Sequence, residues 1–407
     1  AKYTKYKKMS KKVAIVTFRF KNFGTLLQSL GLQEALHKVG IDDVEILDFP
    51  NKSGHSGKAA LMETMKEQMG TYGIIKGTFR SIKEVIYVLR SRLDLKKDHT
   101  AEIQLRESYY EQFENKYLKL SKPMTCNDLR DKEFVKSLPY NCYIAGSDQI
   151  WNEKYTSCLD VFFLKYMPTD TLRMSYAGSF GRTFLEDDKK PMFSELIKNI
   201  DPILVREQGA KVIADEISGR ESYLVPDPTL LHDKAFWLKY AEKPELFEGN
   251  DYILVYSLNH DLSIYKEALR IGKQLNKKVV AMKRHFCPPY YKDIEWLYAL
   301  GPQHFIWMIN NAAMVITNSF HAEVFSLILN RPCYPYLDRA EEVNERLTSL
   351  LHIVGHDHVV TYMGDGHIEP SKKQYDFEKI NERLKLFREE AYNVHIKPNL
   401  QGISELG

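Results

Sequence analysis

The chain has 407 residues, 44% of them apolar, which is enough for two or three domains that each bury a core. Its 57 Lys and Arg against 54 Asp and Glu leave a net charge of +3, and 12% of residues are aromatic, so the composition excludes a disordered chain and a basic nucleic-acid binder. No run of about 18 apolar residues predicts a membrane span, and VAIVTF at 13–18 is too short for a signal-peptide core, so a soluble, cytoplasmic protein is expected.

With Met9 read as a natural start, the first fifty residues spell a β-α-β unit. VAIVTF is an unbroken, β-branched run, as in a strand buried on both faces. A polar turn at 19–24 ends in Gly24. Leu26, Leu27, Leu30, Ala35, Leu36 and Val39 then recur at helical spacing before Gly40, and VEILDF at 44–49 supplies a second strand. Residues 52–120 break the rhythm with a glycine-punctuated loop, a basic amphipathic helix near 78–94 and a mixed helix near 100–117. Strands resume at 142–145, 173–176, 203–205 and 223–225, with helices near 187–199 and 207–217. KYAEKPELFEGN at 239–250 reads as a linker.

A second series follows, with strands at 252–258, 278–282, 313–317 and 333–336. Helices are predicted at 263–275, 302–311 and about 320–329, and two more close the chain near 341–353 and 376–394. This order predicts an α/β protein of two doubly wound Rossmann-like domains facing a cleft, the first at 9–238 with a helical insertion at about 52–120, the second at 251–375. Residues 376–407 form a closing helix and tail able to pack back on the first domain. The five cysteines, at 126, 142, 158, 287 and 333, are odd in number and lack a C-x-x-C pair, so reduced thiols are expected.

The strongest chemical signal is ITNSFH at 316–321, where a buried strand runs into Asn318 and Ser319 and then an apolar helix. Ser319 is placed to cap that helix, whose free N–H groups suit a phosphate or carboxylate, and His321 falls on its first turn. The alternative is a capped helix whose His bonds structurally. Arg206, in LVRE at 204–207, ends a strand and is expected to point its guanidinium into the cleft; otherwise it pairs with Glu207. In YIAGSDQIWN at 143–152, Asp148 could accept a hydroxyl proton, Gln149 lies beside it, and Trp151 could stack on a sugar; an Asx-type turn over a core Trp is the alternative. Asn22, Gly24 and Gln28 form a loop and helix start without the G-x-G-x-x-G pattern, and Arg182 follows the strand-end GSFG at 178–181. His352, His356 and His358 read as a loop rather than a metal site, having no Cys among them.

Taken in order, these segments resemble the polysaccharide pyruvyl transferase family. The matching pieces are Asn22-Phe23-Gly24 with Leu26-Leu27-Gln28, GSDQIWN at 146–152, SYAGSFG at 175–181, VREQGA at 205–210, VPDPTLL at 225–231, GPQHF at 301–305 and TNSFHAEVFSLILNRP at 317–332. The resemblance implies a GT-B-like fold and transfer of an enolpyruvyl group from phosphoenolpyruvate to two hydroxyls of a cell-surface sugar, forming a pyruvate ketal and releasing phosphate. It implies no metal or other cofactor. It makes His321 the general acid/base and Arg206 the donor anchor, beside Asn318, Ser319, Phe320 and Ala322, with Asp148 serving the acceptor along with Asn22, Gly24, Gln28, Gln149, Trp151 and Arg182. The family usually shows Asp and Gly where this chain has Asn318 and Ala322, so a charge that would orient His321 is missing and a methyl is added beside the phosphate. A GT-B glycosyltransferase using a nucleotide-sugar, or a non-catalytic envelope-assembly protein, would share the fold. Residues 76–97, with seven basic side chains against Glu84 and Asp94, are expected either to dock on an anionic membrane if the acceptor is lipid-linked or to form a solvated face.

Overall fold

The run at 13–18 lacks polar alternation because its strand is covered on both sides. Val13 and Ile15 join one apolar layer, Ala14 and Val16 the other, as the two-residue period of a strand requires. The computed structural model describes residues 12–50, 100–258, 262–283, 291–339 and 344–404. The basic helix expected near 78–94, and the membrane contact placed on 76–97, lie outside them.

The chain divides into two compact units. In the first, β1 (Lys12–Val16) pairs in parallel with β2 (Asp43–Ile46) and β3 (Cys142–Ala145), and β3 with β4 (Leu172–Ser175), in the order β2-β1-β3-β4. Gly178 makes parallel bridges to Asp148 and Val205, linking this sheet to the pair β5 (Leu204–Val205) and β6 (Tyr223–Leu224). Helix Phe23–Lys38 packs Leu32, Ala35 and Leu36 on one face of the sheet. Phe193 of helix Lys190–Ile197 and Ile213 of helix Gln208–Ser218 belong to the layer on the other. The chain direction reverses between β1 and β3, and an open α/β sheet binds ligands at such a switch point.

The second unit is a parallel six-stranded sheet in the order β12-β11-β10-β7-β8-β9. Its strands are β7 (Tyr252–Tyr256), β8 (Val279–Met282), β9 (Ile294–Leu297), β10 (Ala312–Thr317), β11 (Cys333–Leu337) and β12 (Thr361–Tyr362). Its switch point falls between β7 and β10. The sequence reading omitted β9 and β12, both at sheet edges; β9 (IEWL) buries only its first residue and so carries no apolar run.

Contacts divide the chain differently from composition. The first unit takes residues up to 54, 113–233 and 381 onward; the second takes 55–112 and 234–380. Tyr109 meets His304 edge-on at 4.4 Å, which ties residues of the former insertion to the second unit. The closing segment packs on the first unit: Ala391, Tyr392, Ile396 and Leu400 enter its core, and Arg388 donates to the carbonyls of Leu230 and His232 at 2.8 and 2.9 Å. The reading of five reduced thiols is corrected, because Cys126 and Cys158 form a disulfide across a 32-residue separation that no sequence spacing betrays. Cys142 and Cys333 are buried and free. No described helix is long and apolar enough to cross a membrane.

Candidate functional site

Each sheet presents polar residues at the carboxyl edge of its switch point. In the first unit, Asn22 caps helix Phe23–Lys38 by accepting from the Thr25 amide at 2.8 Å. Gly24 lies in the first turn of that helix, and the Thr25 hydroxyl donates to Asp148 at 3.2 Å. Asp148 has φ +78°, a conformation that costs a non-glycine residue about 1–3 kcal/mol and recurs at functional loops. Its other oxygen accepts from the Gln149 amide at 2.9 Å. Gln28 is fully buried and donates to Thr17 and Ser29 at 3.0 and 3.1 Å. Those two hydroxyls already donate elsewhere, so the amide orientation is fixed and Oε1 is left as a buried acceptor without a partner among the described residues.

Behind this loop lies a buried ionic cluster. The Arg206 side chain is 1% exposed and pairs with Asp227 at 3.0 Å and Glu207 at 3.2 Å. Asp227 also accepts from Ser147 at 2.9 Å and from the Thr229 hydroxyl at 2.7 Å, and Glu207 accepts from Ser179. Burial opposes the Arg206 charge, but the carboxylates of Glu207, Asp227 and Asp148 outweigh it and hold the guanidinium above its ordinary pKa. Three carboxylates around one guanidinium do not welcome an anionic ligand. The expectation that Arg206 points its guanidinium into a cleft is therefore corrected: the pair with Glu207, the alternative reading, is the one that forms, joined by Asp227.

Three further sequence readings are corrected here. Trp151 is fully buried, stacked on Phe163 at 5.0 Å and donating to the Phe162 carbonyl at 3.3 Å, so it paves the floor beneath Gly178 and offers no face to a sugar. Arg182 is held by Glu153 and Glu186 at 2.9 and 3.1 Å, with 9% of its side chain exposed. The Gln149 side chain lies over Gly181 and accepts from Asn152 at 3.0 Å, so it shapes the loop instead of facing solvent.

In the second unit, Ser319 caps helix Phe320–Ile328, its hydroxyl lying 3.5 Å from the Ala322 amide. His321 is half-buried on the first turn, with the Phe320 ring beside it at 5.4 Å. Ala322 is fully buried, so its extra methyl is absorbed by packing. Asn318 does not orient His321. Its Oδ1 accepts from the Leu258 amide at 2.8 Å and its Nδ2 donates to Ser257 at 3.3 Å, a pair of bonds that an ionised Asp could not make. His304 accepts from the Gly301 amide at 3.0 Å, the reach-back that a Glu makes in a capping box, and burial pushes its pKa down to about 4.

Lys283 was missed. It follows β8 immediately, 8% exposed, with its ammonium over the rings of Tyr265 and Trp296 at 5.0 and 5.2 Å. Its only signal is a basic residue directly after the apolar run VVAM, the same signal that drew attention to Arg206. Arg346 lies over the Phe320 ring at 5.9 Å. The start of helix Phe320–Ile328 lends this edge a partial positive charge. Of the three neighbouring histidines, His356 holds the Val354 carbonyl at 3.1 Å through Nδ1 and accepts from the Asp376 amide at 3.2 Å, a structural arrangement.

A sequence model described as polysaccharide pyruvyl transferase matches residues 22–338. No curated protein matches the chain. Among solved structures, one from Listeria monocytogenes assigned as a UDP-N-acetylglucosamine 2-epimerase has a TM-score of 0.52 at 10% identity, covering 98% of this chain and 91% of that one. The UDP-GlcNAc 2-epimerase of Neisseria meningitidis bound to UDP-GlcNAc has a TM-score of 0.49 at 9% identity, covering 97% and 99%. That of Methanocaldococcus jannaschii has 0.47 at 12%, covering 93% and 92%. The likeness to the Listeria structure is one of fold alone, two Rossmann-like α/β units of the GT-B kind.

Proposed function

The chain belongs to the polysaccharide pyruvyl transferase family, and from that premise we propose that it moves the enolpyruvyl group of phosphoenolpyruvate onto two hydroxyls of a sugar in a cell-surface polysaccharide or its precursor. The observation that carries this reading is the family match across residues 22–338, which includes His321 on its capped helix and Asp148 in its strained turn.

Phosphoenolpyruvate is a polyanion, and the start of helix Phe320–Ile328 suits it. His321 delivers a proton to the donor methylene, leaving C2 electrophilic. One sugar hydroxyl bonds to C2 as its proton passes to a base, for which Asp148 is the candidate. The C2–O bond to phosphate then breaks, the second hydroxyl adds at the same carbon, and its proton leaves. The products are a methyl-bearing ketal and inorganic phosphate. No cofactor enters this reaction, and the family's work on sugar precursors fits a site at the inner face of the cell membrane.

The test is phosphate release from phosphoenolpyruvate across a panel of glycosides, followed by NMR of the ketal methyl. His321→Ala should lower turnover by about 10²–10⁴-fold, the usual worth of general acid–base catalysis, while leaving the melting temperature within a few degrees. Wild-type turnover in that variant would remove His321 from the mechanism, and no phosphate release with any acceptor would remove the reaction.

A further inference from the structure

We propose that Thr25 is the positioning residue for Asp148, holding that carboxylate where a sugar hydroxyl gives up its proton; the inference rests on the reading above, in which Asp148 is the base. Asp148 needs such a hold. Its φ of +78° is one that a non-glycine residue keeps only where its surroundings over-determine it. The backbone is fixed by the parallel bridge to Gly178 and by the Ile150 amide, which donates to the Asp148 carbonyl at 2.8 Å. The side chain is gripped from two sides: the Gln149 amide donates to Oδ1 at 2.9 Å and the Thr25 hydroxyl to Oδ2 at 3.2 Å. The first of these comes from the next residue and moves with the turn. The second crosses 123 residues and ties the turn to helix Phe23–Lys38.

Thr25 is itself a fixed point. It is fully buried in the first turn of that helix, its amide donates to the Asn22 side chain at 2.8 Å, and its carbonyl accepts from the Ser29 hydroxyl at 2.8 Å. A β-branched side chain in a helix has few χ1 settings, and a helical threonine commonly turns its hydroxyl to the carbonyl three or four residues back. A hydroxyl has one proton to donate, and here it goes to Asp148. With no exposed surface, Thr25 meets no substrate and acts through the carboxylate. Asp148 is half-buried, and its two oxygens offer about four acceptor sites, of which the Gln149 amide and Thr25 take one each. Capacity is left for a substrate hydroxyl, which a fixed carboxylate meets in one orientation.

The test uses the glycoside that gives the fastest phosphate release in the panel above, and measures kcat and KM for Thr25→Val, Thr25→Ser, Asp148→Asn and the double variant Thr25→Val/Asp148→Asn. Thr25→Val keeps the branched shape and removes the hydroxyl. It should lower kcat about 10–100-fold, the cost of a misplaced reacting group, and leave the KM for phosphoenolpyruvate unchanged. Thr25→Ser, which retains the hydroxyl, should restore most of that loss. In the Asp148→Asn background Thr25→Val should cost nothing further, because the two residues act as one unit. Wild-type kcat in Thr25→Val overturns the proposal, while a loss in Asp148→Asn still upholds the base reading. An equal loss in Thr25→Ser, or losses that multiply in the double variant, overturns it as well. Wild-type kcat in Asp148→Asn removes the base reading and the proposal with it, as does the absence of phosphate release from wild type. Should Thr25→Val not fold, Thr25→Ala read against Thr25→Ser decides the matter; equal kcat in those two overturns the proposal.

Discussion

Glu323 lies two residues beyond His321 on the same helix, fully buried, with neither carboxyl oxygen hydrogen-bonded among the described residues. Burial raises its pKa well above the ordinary 4.5, so the folded protein favours the neutral acid. The stability gained by protonation is complete below pH 4.5 and is lost as pH rises through the raised folded-state value. Glu323→Gln removes that dependence at nearly constant volume. The variant should be more stable than wild type at pH 7, and the gap should close as pH falls toward 4.5. Urea unfolding of both proteins across that range checks this, and parallel curves would show that Glu323 ionises freely. At this scale the sequence was a partial guide. Ser319 and Asn22 were legible because a cap needs only its own helix to define it. Arg206 was legible as a charge at a strand end, but its partner Asp227 lies 21 residues away, so only the fold could show that the charge is neutralised.

Gly178 shows how elements are fitted to one another. A Cβ there would approach the Trp151 indole to 2.7 Å, and a stacked indole cannot yield as a flexible chain end would. Gly178→Ala should therefore destabilise the first unit by about 1–3 kcal/mol through overpacking. Trp151→Phe in the same chain should recover part of the loss by making room, and denaturant unfolding of the single and double variants measures both. Additive losses would mean that the two residues do not press on each other. The principal strands and helices were legible from unbroken apolar runs and 3.6-residue spacing. The edge strands β9 and β12 were not, because an edge strand packs little apolar surface and leaves no run to read. Trp151 was legible as an aromatic near a strand end, but the same letter serves a sugar platform or a core, and burial made it core.

The whole molecule binds its ends into units that the linear order does not suggest. Tyr392, Ile396 and Leu400, near the end of the chain, lie in the core of the first unit, and full burial of such side chains contributes roughly 1.5–3 kcal/mol each. Removing residues 391–407 should thus lower the melting transition of the first unit sharply and leave that of the second in place. Calorimetry resolves the two, and an unmoved first transition would show the tail to be dispensable. The sequence by itself determined the α/β class, the paired Rossmann-like series, the family and the place of His321 on a capped helix, because each depends on residues close together in the chain. Tertiary structure decided that Arg206 is neutralised by Asp227, how residues 100–112 and the tail divide between units, and that Cys126 meets Cys158. Those depend on residues far apart in sequence whose meeting only the packed sheets bring about.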